Sequence, residues 1–226
     1  MPLLGNAVLG VWNEVDPARE DSFNDWYVRE HIPERVSVPG MRRGRRYRAF
    51  HGSPRYMALY EAATIDVLTT GHYRWQLDNP TPWTGFVMRG FRIAQRGICD
   101  VLASNGDGIG GVATVIHFTA EDRFRAFLER QVATLPGMKQ ILAAHAWRGS
   151  DSEPKSQTSE LALRAGPDRP VEWVLMIEAS DPVYLDQARD AVLAADPKAH
   201  GASDIRPYPN YRLLYTMNSL GNGTGE

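Results

Sequence analysis

One cysteine, Cys99, stands among 226 residues. It can form neither an internal disulfide nor a multi-thiolate metal centre, so nothing here calls for an oxidising compartment and a reduced cytoplasm suits the chain. An excess of one charge is lacking too. The formal net charge is -2, too small to mark a nucleic-acid binder or an acidic tail. No apolar run approaches the roughly 18 to 20 residues a membrane span needs, and "MPLLGNAVLG" runs into polar "NEVDPARED" without a basic leader. The expectation is a soluble cytoplasmic protein with neither membrane nor nucleic acid among its partners. Also absent are a Gly-x-Gly-x-x-Gly between strand and helix, a phosphate-binding Walker loop, a His-Glu-x-x-His pair and a Gly-x-Ser-x-Gly elbow. Spacing supports no metal site, and no cofactor is expected.

What is present is a pattern of elements. The chain fits one large domain or two of about 100 residues each. "AVLGVWNEV" reads as a strand closed by Asp16-Pro17. From Ser22, the residues Phe23, Trp26, Tyr27 and His31 fall on one face of a helix, with Asp21 or Ser22 placed to cap it. Pro33 has no amide proton, which predicts a kink or an end near Ile32, and Pro39-Gly40 turns the chain into the strand "RRGRRYRAF". "RYMALYEAA" is a third strand, "TIDVLTTGHYRWQLD" a second helix despite Gly71, and residues 91–103 a fourth strand after Pro-rich "NPTPWTG". The order is βαββαβ.

Gly-rich "SNGDGIGG", Ser104 to Gly111, reads as a linker near the middle of the chain, after which the order repeats. "PGM" recurs at Pro136 to Met138, "VEWVLMIEAS" matches "RYMALYEAA" so that Glu178 aligns with Glu61, and "PYPNYRLLYTM" is the last strand. Two units follow, residues 1–105 and 106–226. The polar stretch from Ser150 to Pro170 has little apolar surface to bury and reads as an insertion without chemistry.

A βαββαβ unit is ferredoxin-like, with helices on one face of a four-stranded antiparallel sheet. Two such units bury their bare faces by closing a barrel, which also protects the sheet edges. The fold class is therefore α+β, an intrachain pseudo-dimeric α/β barrel. It resembles the dimeric α/β barrel superfamily. Within that superfamily the first half is similar to the EthD-like branch, in an aromatic-rich first helix ending in His-x-Pro before a Pro-Gly turn: Trp26, Tyr27, His31, Pro33, Pro39 and Gly40. The resemblance implies a pocket between sheet and helices. It also implies one of several activities: cofactor-free isomerases, polyketide cyclases, quinone-forming monooxygenases and haem enzymes. In methylmuconolactone isomerase-like members a histidine in this setting is an acid/base candidate, which points to His31 here.

The residues themselves fill in the site. His31 is the side chain of that run whose ordinary pKa lies near neutrality. Tyr47 is the candidate to polarise a substrate oxygen, Arg45 or Arg46 to hold a carboxylate or enolate, and Trp26, Tyr27, Tyr60 and Trp83 to form aromatic walls. Strand alternation sends Tyr47 and Arg45 to one face and Arg46 to the other, so the two arginines do not share a pocket. Against this stands a structural role: His31 satisfying a backbone carbonyl freed by Pro33, the aromatic stripe serving as core, and the arginines facing solvent or forming ion pairs.

The second half has Leu128 where the spacing of His31 to the Pro-Gly turn would place a histidine. The first half is therefore expected to carry the chemistry. His117 and His145 are the histidines to weigh as haem ligands; His72 reads as a structural residue of an amphipathic helix, and His51 and His200 as loop residues. The functional expectation is a cofactor-independent lyase or isomerase acting on a small, partly apolar carbonyl or lactone compound from aromatic or polyketide metabolism. Alternatives are a cofactor-free monooxygenase or haem enzyme, and a non-catalytic small-molecule binder. Self-association is compatible with the fused pair and not required by it.

Overall fold

The computed structural model describes residues 3–152, 158–164 and 169–219, with the side chains of residues 93 and 94 outside that description. The first unit comprises strand β1 (Ala7–Val15), helix α1 (Glu20–Trp26), a π turn (Tyr27–His31), helix α2 (Ile32–Val36), β2 (Met41–Ala49), β3 (Tyr56–Ala62), α3 (Asp66–Thr69), α4 (Gly71–Asp78), α5 (Pro82–Met88) and β4 (Phe91–Gly106). The second comprises β5 (Val112–Ala120), α6 (Phe124–Thr134), β6 (Ile141–Gly149), α7 (Ser159–Ala162), β7 (Trp173–Ala179), α8 (Pro182–Ala194), β8 (Ala202–Pro207) and β9 (Tyr211–Asn218).

Each unit has the antiparallel ferredoxin-like strand order, β4-β1-β3-β2 in the first and β8-β5-β7-β6 in the second. The units join by β4 on β6 and β2 on β9, and β9 meets β5 at Val112 and Ala113, which closes a ring of eight strands with β8 beside it. In the first half, β4 is one 16-residue strand that pairs with β1 and then with β6. Its counterpart is broken. Pro207 and Pro209 lack the N–H groups a ladder needs, and the strand divides into β8 on β5 and β9 on β2.

Alternation sorts the side chains cleanly. On β3, Tyr56, Ala58, Tyr60 and Ala62 face the helices, while Met57 and Leu59 face the barrel interior. A third set of packed residues fills the space between α6, α8 and the second sheet, with Phe124, Phe127, Leu128 and Trp173 at its centre. The barrel interior is not purely apolar, as two bare sheet faces would suggest. Glu61 takes both nitrogens of a bidentate Arg43 at 2.8 Å, and Arg45 spans from Glu61 at 2.9 Å to Glu178 at 2.7 Å. Glu61 and Glu178 are counterparts in the two sheets, as the repeat predicts.

Several local expectations are corrected. The first helix does not stop at Ile32; it continues through Pro33 to Val36. The π turn absorbs the proline, because Ile32 N–H reaches back to the Tyr27 carbonyl and the ladder shifts register before the ring arrives. Asp16 caps a short turn before α1, and neither Asp21 nor Ser22 supplies the cap. The second helix breaks between α3 and α4, where Thr70 is extended and Gly71 opens α4 at a φ of 57° that glycine adopts without strain. The stretch before the fourth strand is itself a helix, α5, opened by Thr81 accepting from Thr84 N–H with Pro82 in the first turn. The linker read at Ser104 begins inside β4. The second "PGM" is out of step with the fold, since the residue preceding β6 is Gln140, at φ 62°, where Gly40 precedes β2.

Candidate active site

His31 ends the π turn on the buried side of the helix, 6 % exposed. The helix lies close to the sheet at Gly44, where a Cβ would approach Ile32 Cγ2 to 2.9 Å. His31 is framed by rings: Trp26 stacked at 4.0 Å between centroids, Tyr27 edge-on at 5.1 Å and Tyr60 edge-on at 6.0 Å. Trp26 is itself fixed, because its indole N–H donates to Glu30 and to Thr84 Oγ1, both at 3.1 Å, tying the π turn to α5.

The Tyr27 carbonyl at the π turn accepts from Ile32 N–H and from Tyr215 Oη at 2.7 Å, and His31 Nδ1 is buried without a partner. Tyr60 Oη, buried on β3, also lacks one. Both residues line one small cavity between helices and sheet, with room for about one water (about 10 Å³), whose other polar walls include Tyr27, Arg35, Glu160 and Arg164. Buried polar atoms are paired in the great majority of cases, so two orphans on one cavity make it the candidate site. Burial, reinforced by Arg35, Arg164 and Arg46, holds the His31 pKa well below 6.5, leaving a neutral imidazole. Burial and the neighbouring Tyr27 drive Tyr60 well above 10, leaving a neutral phenol.

The structure does not bring all the expected residues together. Tyr47 and Arg45 face the barrel interior, on the opposite side of the sheet, where Arg45 Nη1 donates to Tyr47 Oη at 3.1 Å and to Glu178. The reason is the alternation already read from β2, applied one step further: His31 sits on the helix side, and Tyr47 does not. Arg46 does face the helices, but it lies 3.5 Å over the Tyr27 ring and donates to Asn24, as a support for the wall. Trp83 packs against the same core and donates to Ser22 Oγ at 3.0 Å, outside the cavity lining. Of the arginines of β2, Arg42 is exposed and Arg48 half-buried, while Arg43, Arg45 and Arg46 are buried, the first two in ion pairs.

Two cavity residues come from the segment read as chemically silent, Glu160 and Arg164. Thr158 caps α7, and Glu160, 3 % exposed, pairs with Arg35 of α2 across the two halves. Residues 153–157 and 165–168 of that insertion lie outside the described residues. The signal that could have found α7 is the threonine three residues before Leu161, with Leu163 following. Polar composition hid it.

Of the histidines weighed as haem ligands, His145 is engaged at both nitrogens, whereas His117 is buried with neither nitrogen partnered among the described residues. His145 has Nδ1 against Ser104 Oγ at 3.0 Å and donates from Nε2 to Glu178 at 2.9 Å. His117 is edge-on to Trp12 at 4.4 Å and to Tyr208 at 4.5 Å.

No family model matches the chain, and no curated protein matches it significantly. Solved structures do. An anthrone oxidase-like protein superposes with TM-score 0.59 at 10% identity, over 94% of this chain and 92% of that one. A proposed monooxygenase from Fusobacterium nucleatum gives 0.58 at 10% identity over 96% of each chain. A haem-binding protein from Thermus thermophilus gives 0.52 at 14% identity, over 93% of this chain and 92% of that one. Haem does not fit beside His145, whose two nitrogens are committed, or under the second pair of helices, where Phe124, Phe127 and Leu128 fill the space. Strand order, barrel closure and these superpositions agree on one result: the chain has the dimeric α/β barrel fold, with both halves of the pseudo-dimer in a single polypeptide.

Proposed function

We propose that this protein is a cofactor-independent enzyme, a lyase or isomerase, that removes and returns a proton on a small, partly apolar carbonyl or lactone compound. His31 is the base and Tyr60 the donor to the oxygen on which enolate charge develops, the part first expected of Tyr47. The observation that carries this is the pair of buried, unpartnered groups on one cavity whose pKa values are pushed apart, the imidazole down and the phenol up. A neutral imidazole takes a proton, a neutral phenol gives a hydrogen bond, and the guanidinium of Arg35 favours the negative charge that results. Leu9, Val11, Met88 and Phe91 add an apolar stretch to the wall, beside Tyr73 and Arg96, which suits a compound with a hydrocarbon portion.

The His-x-Pro and Pro-Gly run supports an EthD-like relationship. That Cys99 is the single cysteine of the chain, and buried, supports a reduced, cytoplasmic setting. The first two structural neighbours are named as oxidase-like and monooxygenase; a cofactor-free oxygenation here would share the same first step, because a carbanion must form before oxygen can add. One experiment addresses both readings. A panel of enolisable lactones and 1,3-dicarbonyl compounds is incubated with the protein in D2O, with oxygen consumption recorded alongside. Deuterium incorporation without oxygen uptake supports the isomerase or lyase reading, and oxygen uptake the oxygenase. Neither signal, with a compound shown to bind, would favour a non-catalytic binder.

A further inference from the structure

The cavity beside His31 holds about one water, so no carbon compound reaches His31 until part of the wall moves. The sheet is held by continuous ladders, and the helix over residues 20–36 by the core beneath it. The wall from residues 158–164 is held more lightly. Helix α7 has four residues; its anchors include packing on α4 and α5, Ser159 N–H on Asp78 at 3.2 Å, Leu163 against the core, Glu160 on Arg35, and Arg164, 5.1 Å over the Phe91 ring and 3.8 Å from Glu160.

Arg35 is prepared in advance for an anion. Gln76 Oε1 at 3.0 Å and Glu34 at 3.2 Å hold its Nη1, and Nη2 is turned to Glu160. Glu160 is the one acid among the cavity-lining residues, and it is delivered there by the other half of the chain. A carboxylate set on a buried guanidinium, beside an imidazole and a phenol with no partners, occupies the place of a bound organic anion.

We infer that Arg35 is the anion seat of the site and Glu160 its internal occupant: a small organic anion, a carboxylate or an enolate, displaces Glu160 from Arg35, and residues 158–164 move outward as it binds. The inference rests on the reading above in seating the substrate beside His31, but it concerns binding alone.

Salicylate is a suitable probe, with 2-hydroxybenzyl alcohol as its neutral counterpart, measured by calorimetry on the full chain. Glu160→Gln should bind salicylate at least tenfold more tightly than the unaltered protein, with the alcohol changed less than twofold, and Arg35→Gln should lose salicylate binding. Equal salicylate affinity in Glu160→Gln and the unaltered protein, no salicylate binding by either, or an equal gain for the alcohol overturns it. If Glu160→Gln folds poorly, hydrogen exchange on the unaltered protein decides: saturating salicylate should speed exchange at residues 158–164, and unchanged or slower exchange overturns it. The same tenfold gain is expected in a His31→Gln background. Failure of the proton-transfer reading would therefore show as lost chemistry with this gain intact, and failure of the anion seat as the reverse.

Discussion

The indole of Trp26 lies face to face on the imidazole of His31, with centroids 4.0 Å apart and planes 24° from parallel. That contact leaves the imidazole edge to the cavity and fixes its plane, while Glu30 and Thr84 fix the indole in turn. Trp26→Phe keeps a ring on His31 and removes the two N–H bonds. It should cost about 1 to 2 kcal/mol in urea unfolding and slow turnover by less than about tenfold, because the base is loosened and not lost.

The two tyrosines separate the two faces of the sheet. Tyr60→Phe should slow proton transfer by about 10² or more, the usual scale for removing an oxyanion donor, with little loss of stability because its hydroxyl has no partner. Tyr47→Phe should do the opposite. It removes an acceptor for Arg45 inside the barrel, costs about 1 kcal/mol or somewhat more, and leaves turnover within about twofold. Kinetics and urea midpoints on both variants check the pair.

Acid should weaken the fold through buried groups of known direction. Burial, with Arg206 adding to it, holds His117 at about 3, against 6.5 for an ordinary histidine. Between those values the unfolded chain binds a proton that the native chain refuses, so stability falls as pH drops from about 6.5 to about 3, by on the order of 4 kcal/mol from this group. Glu178 adds a later loss. Burial alone would raise it, but Arg45 and the hydrogen bond from His145 outweigh burial and hold it at about 2, so its contribution fades from about pH 4.5 downward. Urea unfolding at pH 7, 5.5 and 4 should show midpoints falling throughout, and His117→Phe should flatten the fall between pH 6.5 and 4.

Breaking the interior ion network should be costly without touching the chemistry. Glu178→Ala leaves Arg45 buried with one carboxylate in place of two and removes the partner of His145 and of Gly110 N–H. A loss of about 3 to 5 kcal/mol is expected from such a break, read as a lowered thermal midpoint. Any activity per folded molecule should persist.

Much of this fold is legible because period and burial coincide. Alternation on β2 and β3 gives the faces of Arg45, Arg46 and Tyr60, and the aromatic spacing in the first helix gives the buried stripe that carries His31. What escapes is set by local exceptions. Pro33 looks like a helix stop, and only a π turn, a register shift no residue type announces, allows the helix through. Two prolines break the eighth strand into β8 and β9, so its first part resembles a loop. Chemistry alone pairs Tyr47 with His31; alternation puts Tyr47 on the face opposite Arg46, and only the packed helices show that His31 lies on the Arg46 side. Glu160 was missed because a polar insertion gives no sign that one of its acids is buried against an arginine 125 residues earlier.

The central claim is that His31 moves the proton, and His31→Gln tests it most directly, with kcat/KM and the thermal midpoint taken on the same preparation once a turned-over compound is in hand. The account predicts a loss of about 10² to 10⁴ in rate, an unchanged midpoint because no hydrogen bond of Nδ1 is broken, and an acid limb below pH 6.5 in the unaltered protein that vanishes in the variant. A stable His31→Gln protein turning over within about twofold of the unaltered one, with the acid limb retained, would contradict it.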